Sequence, residues 1–303
     1  MLNRMRKFYR DFDHRYPLRG GHPVYRPFFL LRASMSRRFY LELNHGLANR
    51  LTALVSCQVA CDELGRELRI IWNVNRHCGC DFDDLFSNSL FVDPFRRVVD
   101  FNDDTTCRPA FLSSRKSFLF TGQGIDRFDK CDRGAPFLNN LPFISGCRDS
   151  VAEEFSHRLN MLEPVPEVCA LIPEIPENSV GVHIRRTDLP WQTRSTTDEF
   201  VDRMRQTLDC SPDVVFFLAT DDAEVKAHIS RKFGAKVLCV PNSGHRKSIE
   251  GVRVALAELI ALSKTQRVLG TFNSSFSWLA TMWRLIDLDI VGLATYERER
   301  EQA

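Results

Sequence analysis

The sequence contains no apolar run that approaches the roughly 20 residues needed by a membrane-spanning helix. Its basic first segment, Met1 to Arg10, lacks the apolar core of a secretory signal, and no repeats or low-complexity tracts interrupt the chain. These absences predict an ordinary globular protein located in the cytoplasm. A length of 303 residues is sufficient for two domains.

The ten cysteines do not follow the spacing of a disulfide framework or of a zinc site. They are scattered, and several stand in apolar segments, so we expect free thiols in a reducing compartment. Cys78 and Cys80, with His77 beside them, lack a second ligand pair at the spacing typical of zinc sites. The cysteines therefore indicate neither a disulfide-stabilised fold nor a metal centre.

The net charge of +2 conceals a basic first segment, because residues 1–40 contain ten Lys or Arg and two Asp. A basic arm of this kind can attract anionic lipid or nucleic acid. Aromatic and apolar residues lie among the charges, however, and they favour packing against the domain over a free tail. We expect no nucleic-acid partner and at most a peripheral membrane contact through this arm.

The first part of the chain has the pattern that opens a parallel α/β sheet. An apolar strand at 39–43 is followed by a turn around Gly46, a helix that Gly65 ends, and a second strand at 68–72. This order, strand, turn, helix and strand, is typical of such sheets. Residues 73–147 show no comparable periodicity.

The last part of the chain alternates more regularly. Between Val180 and Leu293, five apolar strands alternate with four helices, which predicts a doubly wound Rossmann-like domain. Prolines between Pro164 and Pro176 interrupt the preceding stretch and indicate the crossing between two domains. We therefore divide the chain into domains at 1–175 and 176–303.

The most informative segment is Gly181-Val-His-Ile-Arg-Arg-Thr-Asp188, in which an apolar strand runs directly into charged residues. Side chains alternate along a strand, so His183 and Arg185 lie on one side and Arg186 on the other. Ligands bind beyond the carboxyl ends of strands in open α/β sheets. An arginine there can contact a phosphate through two nitrogens. The alternative interpretation is a cluster of interdomain salt bridges.

A second candidate segment, Gly270-Thr-Phe-Asn-Ser-Ser275, links a strand to a helix. Its small polar residues leave the start of the helix open, where free N–H groups and the helix dipole attract an anion. Simple capping of the helix by Asn273 or Ser274 is the alternative, and both can hold together.

Glu258 is the third candidate, because its neighbours at three and four residues on either side are apolar. A carboxylate in such surroundings needs partners, since burial of an unpaired charge is costly. The two adjacent donors on the edge of a guanine would satisfy it. Exposure to solvent, or pairing with an arginine, is the alternative.

Four segments resemble motifs of fucosyltransferases. His183 to Asp188 resembles the HxRRxD motif of α1,2- and α1,6-fucosyltransferases, and a looser form occurs in protein O-fucosyltransferases. Phe217 to Asp222 resembles the second motif of the α1,6 group, and Asn273 to Trp278 resembles the NSTFSWW block of the α1,2 group. Gly46 to Arg50 is similar to the glycine-rich first turn of the superfamily. The motifs occur in the same order as in the family.

The resemblance implies a GT-B fold, with two Rossmann-like domains facing a cleft. Residues 1–175 would form the acceptor-side domain with its basic N-terminal arm, and residues 176–303 the donor domain. The implied reaction is transfer of fucose from GDP-fucose to a glycan hydroxyl with inversion and without metal or another cofactor. GT-A enzymes hold a metal with an Asp-x-Asp pair, but neither Asp81-Phe-Asp83 nor Asp287-Leu-Asp289 follows a convincing nucleotide-binding strand.

The resemblance also implies roles for individual residues. Arg185 would hold the β-phosphate, His183 would lie against the nucleoside, Ser274 would contact a phosphate, and Glu258 would read guanine. Asp188 would anchor the turn after the strand. The full set of predicted substrate contacts is His183, Arg185, Arg186, Glu258, Thr271, Ser274, Ser275 and Asn49.

The chain departs from the α1,6 pattern at two positions, where Leu189 replaces a lysine and Thr193 replaces a glutamate. The residue that activates the acceptor is therefore not carried over. Some protein O-fucosyltransferases have an acidic residue before the first-turn glycine, and His45 stands there in this sequence. An imidazole can accept a proton near neutral pH, so we predict His45 as the base and Arg185 as the other catalytic residue. A turn histidine without catalytic role is the alternative for His45.

Two other functions are compatible with these observations. One is a transferase of the same fold that uses a different nucleotide sugar. The other is a non-catalytic protein that binds a nucleotide or a glycan, which the two departures from the α1,6 pattern favour.

Overall fold

A computed structural model describes residues 38–43, 45–63, 67–72, 74–88, 119–121, 149–186, 195–241, 245–272 and 274–292. The chain forms two compact units. The first unit contains Met1–Arg158 and Arg246–Val252, and the second contains Leu159–His245 and Arg253–Ala303. The domain boundary between 175 and 176 stays a prediction. The basic N-terminal arm before residue 38, and Asn273 and Asp188, lie outside the described residues.

In the described part of the first unit, three parallel strands form a sheet of order β2-β1-β3. Its described elements are β1 (Arg38–Leu43), α1 (Leu47–Glu63), β2 (Glu67–Trp72), β3 (Leu119–Thr121) and α2 (Asp149–Asn160). Helix α2 continues into the second unit. The predicted strand, turn, helix and strand are confirmed. Helix α1 forms because Leu47, Leu51, Leu54 and Val55 recur at helical spacing, and all four side chains are buried.

The second unit has a parallel five-stranded sheet of order β6-β5-β4-β7-β8. The remaining elements of the chain are α3 (Pro166–Cys169), β4 (Ser179–Ile184), α4 (Thr197–Cys210), β5 (Val215–Thr220), α5 (Ala223–Phe233), a 3₁₀ turn (Gly234–Lys236), β6 (Val237–Leu238), α6 (Ile249–Ser263), β7 (Arg267–Thr271), α7 (Ser275–Arg284) and β8 (Asp287–Val291). The strand order reverses between β4 and β7, so the predicted doubly wound topology is confirmed.

The sequence explains why these elements form where they do. Every residue of β4 is buried, as expected for a central strand covered on both faces. Helix α4 begins at a capping box in which Thr196 and Glu199 each satisfy a backbone N–H of the other. Asp222 caps α5 by accepting from two backbone N–H groups, and Gly234 ends that helix at a φ of 55°.

The core of the second unit lies between β4, β5 and helix α4. Its centre consists of apolar side chains with no or almost no exposed surface: Val182, Ile184, Phe200, Met204, Phe216, Leu218 and Leu269. Burial of each such side chain contributes about 1.5–3 kcal/mol to stability. Among the described residues, no helix is long and apolar enough to cross a membrane.

Candidate functional site

The polar residues predicted from sequence converge where β4 and β7 end side by side. His183 of β4 is paired with Gly270 of β7, and Thr271 follows directly. This is the switch point of the sheet, where the helices on either side diverge and leave a crevice beyond the strand ends. The topology therefore brings the end of β4 and the start of α7 to one place.

The His183 ring is buried and held on two sides by α7. Its Nδ1 lies 2.7 Å from the Ser277 hydroxyl oxygen, and the ring stacks on Phe276 with centroids 4.7 Å apart. Burial and, to a smaller extent, the Arg185 charge lower the pKa of His183 to about 3 against the opposing effect of Asp221. His183 is therefore neutral near pH 7. It is suited to pack against a ligand and not to exchange protons with one.

Gly270 allows this close packing of α7 on β7. A Cβ atom at Gly270 would lie 2.8 Å from Cβ of Ser277 and 2.7 Å from Cδ1 of Leu288. Any larger residue would push the helix away from the strand. The position of Ser277 beside His183 depends on this glycine.

Thr271 joins the backbones of the two strand ends. Its hydroxyl donates to the His183 carbonyl at 2.9 Å and accepts from the Arg185 N–H at 2.9 Å. The side chain is buried, and these bonds fix the point at which the chain leaves β4. The predicted contact between Thr271 and substrate stays a prediction; the observed contacts position Arg185.

Replacement of Thr271 with valine should lower the free energy of unfolding by about 1–3 kcal/mol, because it keeps the shape and removes a buried bridge. Chemical denaturation of both proteins measures this difference. Thr220→Val is the matched control: it also ends a strand and is buried, but its hydroxyl accepts only a long bond of 3.3 Å from Asp222 N. Equal losses in the two variants would contradict the bridging role.

Arg185 is held by Asp221, which follows the neighbouring strand β5. Its Nε lies 3.1 Å from Oδ2 of Asp221, and the other carboxylate oxygen accepts from the Arg186 N–H at 2.8 Å. About a quarter of each side chain in this ion pair is exposed. An ion pair of this exposure adds little stability, but it fixes the orientation of the guanidinium. Asp221 is thus a site residue that the sequence analysis did not include.

Arg186 takes a different direction. Its guanidinium donates to the Arg185 carbonyl at 3.0 Å and to the Thr197 hydroxyl at 2.9 Å, which places it at the start of α4. Burial lowers the pKa of Arg186, and Asp221 and Asp222 oppose that shift. The alternation along β4 correctly separates Arg186 from Arg185. Substrate contact by Arg186 stays a prediction.

The start of α7 is not capped by the side chain that precedes it. Ser274 is buried in the N-cap position, and its hydroxyl makes no capping hydrogen bond. Ser275, half-buried, is the first residue of the helix. The alternative in which Ser274 simply caps the helix is therefore wrong for its side chain. Free N–H groups and the dipole at this end of α7 favour an anion.

Glu258 lies on α6 and is only 9% exposed, which confirms the burial expected from its apolar neighbours. Among the described residues, no hydrogen bond or ion pair reaches its carboxyl group. Burial raises the pKa of Glu258 to about 8; Lys226 lowers it and Asp221 raises it. The Lys226 ammonium itself donates to the Val240 carbonyl at 2.6 Å. A buried carboxyl group without a partner is suited to a ligand that brings its own donors.

His45 and Asn49 belong to the first unit. His45 is half-buried before α1, and its carbonyl accepts from Arg50 Nε. Burial lowers the pKa of His45, and the Arg50 charge lowers it further. A neutral imidazole is the form that accepts a proton. Asn49 is exposed on α1, and the roles of both residues stay predictions.

The described residues contain no group of three or more His, Cys, Asp or Glu that could hold a metal ion. Asp289, one half of an Asp-x-Asp pair, instead forms ion pairs with Arg203 and Arg267. The absence of a metal and of a cofactor in the reaction stays a prediction.

The α/β fold with parallel sheets belongs to the GT-B class, as predicted. It is similar to the α1,6-fucosyltransferase NodZ in crystals soaked with GDP-fucose, with a TM-score of 0.54, 19% identity, and coverage of 81% of this chain and 92% of that chain. NodZ co-crystallised with GDP gives a TM-score of 0.51 at 18% identity, with coverage of 80% and 91%. NodZ from Bradyrhizobium gives 0.50 at 18% identity, with coverage of 80% and 92%.

At these identities the likeness establishes the fold. The resemblance to fucosyltransferases that the motifs predict is confirmed at that level. Neither a known sequence family nor a curated protein sequence matches the chain significantly.

Proposed function

We propose that this protein is an inverting glycosyltransferase that moves fucose from GDP-fucose to a glycan hydroxyl without a metal ion. One observation carries the proposal. At the switch point of the sheet, Arg185, fixed by Asp221, lies near the start of α7, where the Ser274 side chain makes no capping hydrogen bond; the fold is that of an enzyme whose crystals were soaked with GDP-fucose. Two positive elements at one crevice suit a diphosphate.

Glu258 supports a guanine nucleotide in particular. Its carboxyl group is buried and has no partner among the described residues, and Asp221 influences its pKa, so the two carboxyl groups are within electrostatic range. Guanine presents two adjacent N–H donors, which an ionised carboxylate accepts through both oxygens. Uracil and adenine do not present this pair of donors, so Glu258 would discriminate against them.

In the proposed reaction the acceptor hydroxyl attacks the anomeric carbon while the bond to the β-phosphate oxygen breaks. Negative charge grows on the departing GDP, and Arg185 and the N-terminus of α7 would stabilise it more strongly in the transition state than in the ground state. A single displacement inverts the anomeric centre. His45 is the proposed base that takes the hydroxyl proton, and neutral His183 would pack against the nucleoside.

A non-catalytic protein that binds a guanine nucleotide is the second candidate. It is favoured by Leu189 and Thr193, which stand where the α1,6 pattern has a lysine and a glutamate. Release of free fucose or transfer to an acceptor separates an enzyme from such a binding protein. A transferase that uses a different GDP-sugar would be recognised by its donor in the same assay.

A panel of nucleotides should identify the base. GDP and GDP-fucose at a hundred-fold excess over their dissociation constant should stabilise the protein by about 2.7 kcal/mol, and UDP and ADP should have no comparable effect. Thermal unfolding with each nucleotide measures the shift. A shift with UDP as large as that with GDP would disprove the guanine assignment.

Transfer should continue in EDTA, because Arg185 and the helix N-terminus supply the positive charge that a metal would otherwise provide. Rates measured with EDTA should agree within about two-fold with rates measured after excess manganese or magnesium is added. For comparison, a tenfold change in rate corresponds to about 1.36 kcal/mol in the barrier. Complete loss of activity in EDTA, restored by either metal, would show that the reaction is metal-dependent.

A further inference from the structure

Cys78 and Cys80 form a buried dithiol in the first unit. Both side chains are at most 2% exposed, and their sulfur atoms lie 3.9 Å apart, within hydrogen-bonding distance for thiols. Gly79 between them donates to the Arg246 carbonyl at 2.9 Å, and a Cβ atom there would lie 2.2 Å from the backbone of Lys247. Only glycine fits at this position, so the sequence Cys-Gly-Cys has a structural basis.

The backbone that carries the two thiols is fixed by hydrogen bonds. Cys78 and Asn75 exchange two backbone hydrogen bonds of 3.0 Å, and the Asn75 side chain accepts from the N–H groups of His77 and Cys78. The Trp72 indole donates to the Cys80 carbonyl at 2.9 Å. The backbone that carries both thiols is therefore held by hydrogen bonds that do not involve the sulfur atoms.

Arg50 brings a buried positive charge to this dithiol. The residue is fully buried, its Cζ lies 4.8 Å from the centre of the Trp72 ring, and its Nε donates to the His45 carbonyl. Its two terminal nitrogens are buried and make no hydrogen bond among the described residues. A buried guanidinium requires a compensating negative charge or acceptor, which the aromatic face supplies only in part.

The Asp81 charge acts on Arg50, and a thiolate at Cys78 would add to that compensation. The hydrogen bond between the two thiols lowers the pKa of Cys78, and the Arg50 charge lowers it further; burial and the Asp81 charge oppose the shift. The same hydrogen bond raises the pKa of Cys80, and burial adds to that shift. These opposite shifts make Cys78 the more acidic thiol of the pair.

We propose that Cys78 and Cys80, whose sulfur atoms lie 3.9 Å apart near the buried Arg50, are an oxidative modification site at which a small peroxide converts the dithiol to a disulfide. The Cys78 thiolate attacks one peroxide oxygen, the S–O bond forms, and the O–O bond breaks to release water after protonation. The Cys80 sulfur then attacks the sulfur of the Cys78 sulfenic acid, and the second oxygen leaves as water with the remaining thiol proton. Each sulfur loses one electron and each peroxide oxygen gains one.

Burial selects the oxidant and the product. Hydrogen peroxide is little larger than water and needs only a local opening to reach the core, whereas a bulky disulfide needs a much larger one. Because the second thiol is 3.9 Å away, the sulfenic acid is captured before a further oxidation. Closing the bond requires the sulfurs to approach by about 1.9 Å, to the ordinary S–S length of about 2.05 Å.

The test exposes the full-length protein to hydrogen peroxide under native conditions, blocks remaining thiols by alkylation in denaturant, and locates modified cysteines by peptide mass spectrometry. Cys78 and Cys80 should be linked, and the link should be reversed by dithiothreitol. The exposed thiols Cys169 and Cys210 serve as internal controls and should not form this link. Oxidation of Cys169 and Cys210 while the dithiol stays reduced would overturn the proposal, as would Cys78 sulfinic acid beside a reduced Cys80.

Two variants and one pH profile test the separate functions. In Cys80→Ser, a sulfenic acid should accumulate at Cys78 and react with dimedone. Arg50→Met should slow oxidation of Cys78 by at least about tenfold. If Arg50→Met does not fold, the pH profile of oxidation of the wild-type dithiol tests the function of Arg50. The rate should rise with pH and stop rising before about pH 8.5, which is the pKa of an ordinary cysteine. A profile that continues to rise through that pH would overturn the function given to Arg50.

Discussion

Replacement of Arg185 with alanine should lower turnover by at least about 100-fold, near 2.7 kcal/mol of transition-state stabilisation, with the fold intact. The variant removes the charge that would face the diphosphate as negative charge grows on departing GDP. Steady-state kinetics at saturating GDP-fucose measure the loss, and thermal unfolding without nucleotide checks the fold. The ion pair with Asp221 is a quarter exposed, so its loss should change stability by no more than about 1 kcal/mol.

Arg185→Lys separates charge from geometry. A lysine keeps the positive charge but loses the planar group that Asp221 orients through Nε, so it should restore little of the activity. Arg205→Ala is the control, because Arg205 is exposed on α4 and, among the described residues, pairs with Asp202 of the same helix. Near-full turnover of Arg185→Ala would show that another residue stabilises the departing diphosphate, even if the proposed reaction is right.

The sheet and its switch point were predictable because the strands of the second unit are apolar throughout and the helices between them are amphipathic. The end of β4 was predictable for the same reason: an abrupt change from Ile184 to Arg185 marks the edge of the sheet. The alternation of side chains also separated His183 from Arg186. These features depend on local periodicity, which a single sequence displays directly.

Asp221 was harder to predict, because it is followed by a second aspartate and a helix. Either residue could cap α5, and only the geometry shows that Asp222 accepts from the Glu224 and Val225 N–H groups. Asp221 is then available for Arg185, which is 36 positions earlier in the sequence. Contacts between strand ends depend on tertiary structure, and no local pattern encodes them.

Arg50 was missed although the sequence contained a signal. It lies three residues after Leu47 and four before Leu54, on the apolar face of α1, where a charge needs a specific partner. Its position was interpreted only as part of a glycine-rich turn. The groups whose charges act on Arg50, which are Cys78, Cys80 and Asp81 beyond β2, could not be inferred from helical spacing because residues 73–147 have no regular pattern.

The pH dependence of guanine recognition should depend on Glu258. In the empty site this carboxyl group has a pKa of about 8, so it carries a proton near pH 7, and guanine requires the ionised form. GDP binding should therefore release a proton. The affinity of the wild-type protein should rise by up to about tenfold per pH unit below pH 8 and level off above it. Titration calorimetry between pH 6 and 9.5, in buffers with different ionisation enthalpies, measures both quantities.

Glu258→Gln keeps the shape of the side chain and replaces one acceptor oxygen with a donor. At pH 8.5 it should weaken GDP binding by about 10- to 150-fold, the equivalent of a hydrogen bond to a charged group of about 1.5–3 kcal/mol, and its affinity should not vary with pH. Turnover at saturating donor should change much less, because the base is remote from the bond that breaks. Glu250→Gln, on the exposed first turn of the same helix, is the matched control and should retain the affinity and pH dependence of the wild type.

Glu258→Gln should weaken GDP binding, but it should stabilise the protein without nucleotide at high pH. An acid whose pKa is raised by folding binds its proton more tightly in the folded state, so its contribution to stability is complete below about pH 4.5 and is lost as the pH rises through about 8. Above pH 8 the wild-type protein holds a buried carboxylate that has no hydrogen-bond partner among the described residues, whereas glutamine has no charge to bury. The melting temperature of Glu258→Gln without nucleotide should therefore exceed that of the wild type at pH 9, and the difference should shrink towards pH 5.

A residue that destabilises the free protein and strengthens GDP binding serves the ligand and not the fold. Unchanged GDP affinity in Glu258→Gln, or a lower melting temperature at pH 9, would remove Glu258 from the site while leaving the proposal for Arg185 intact.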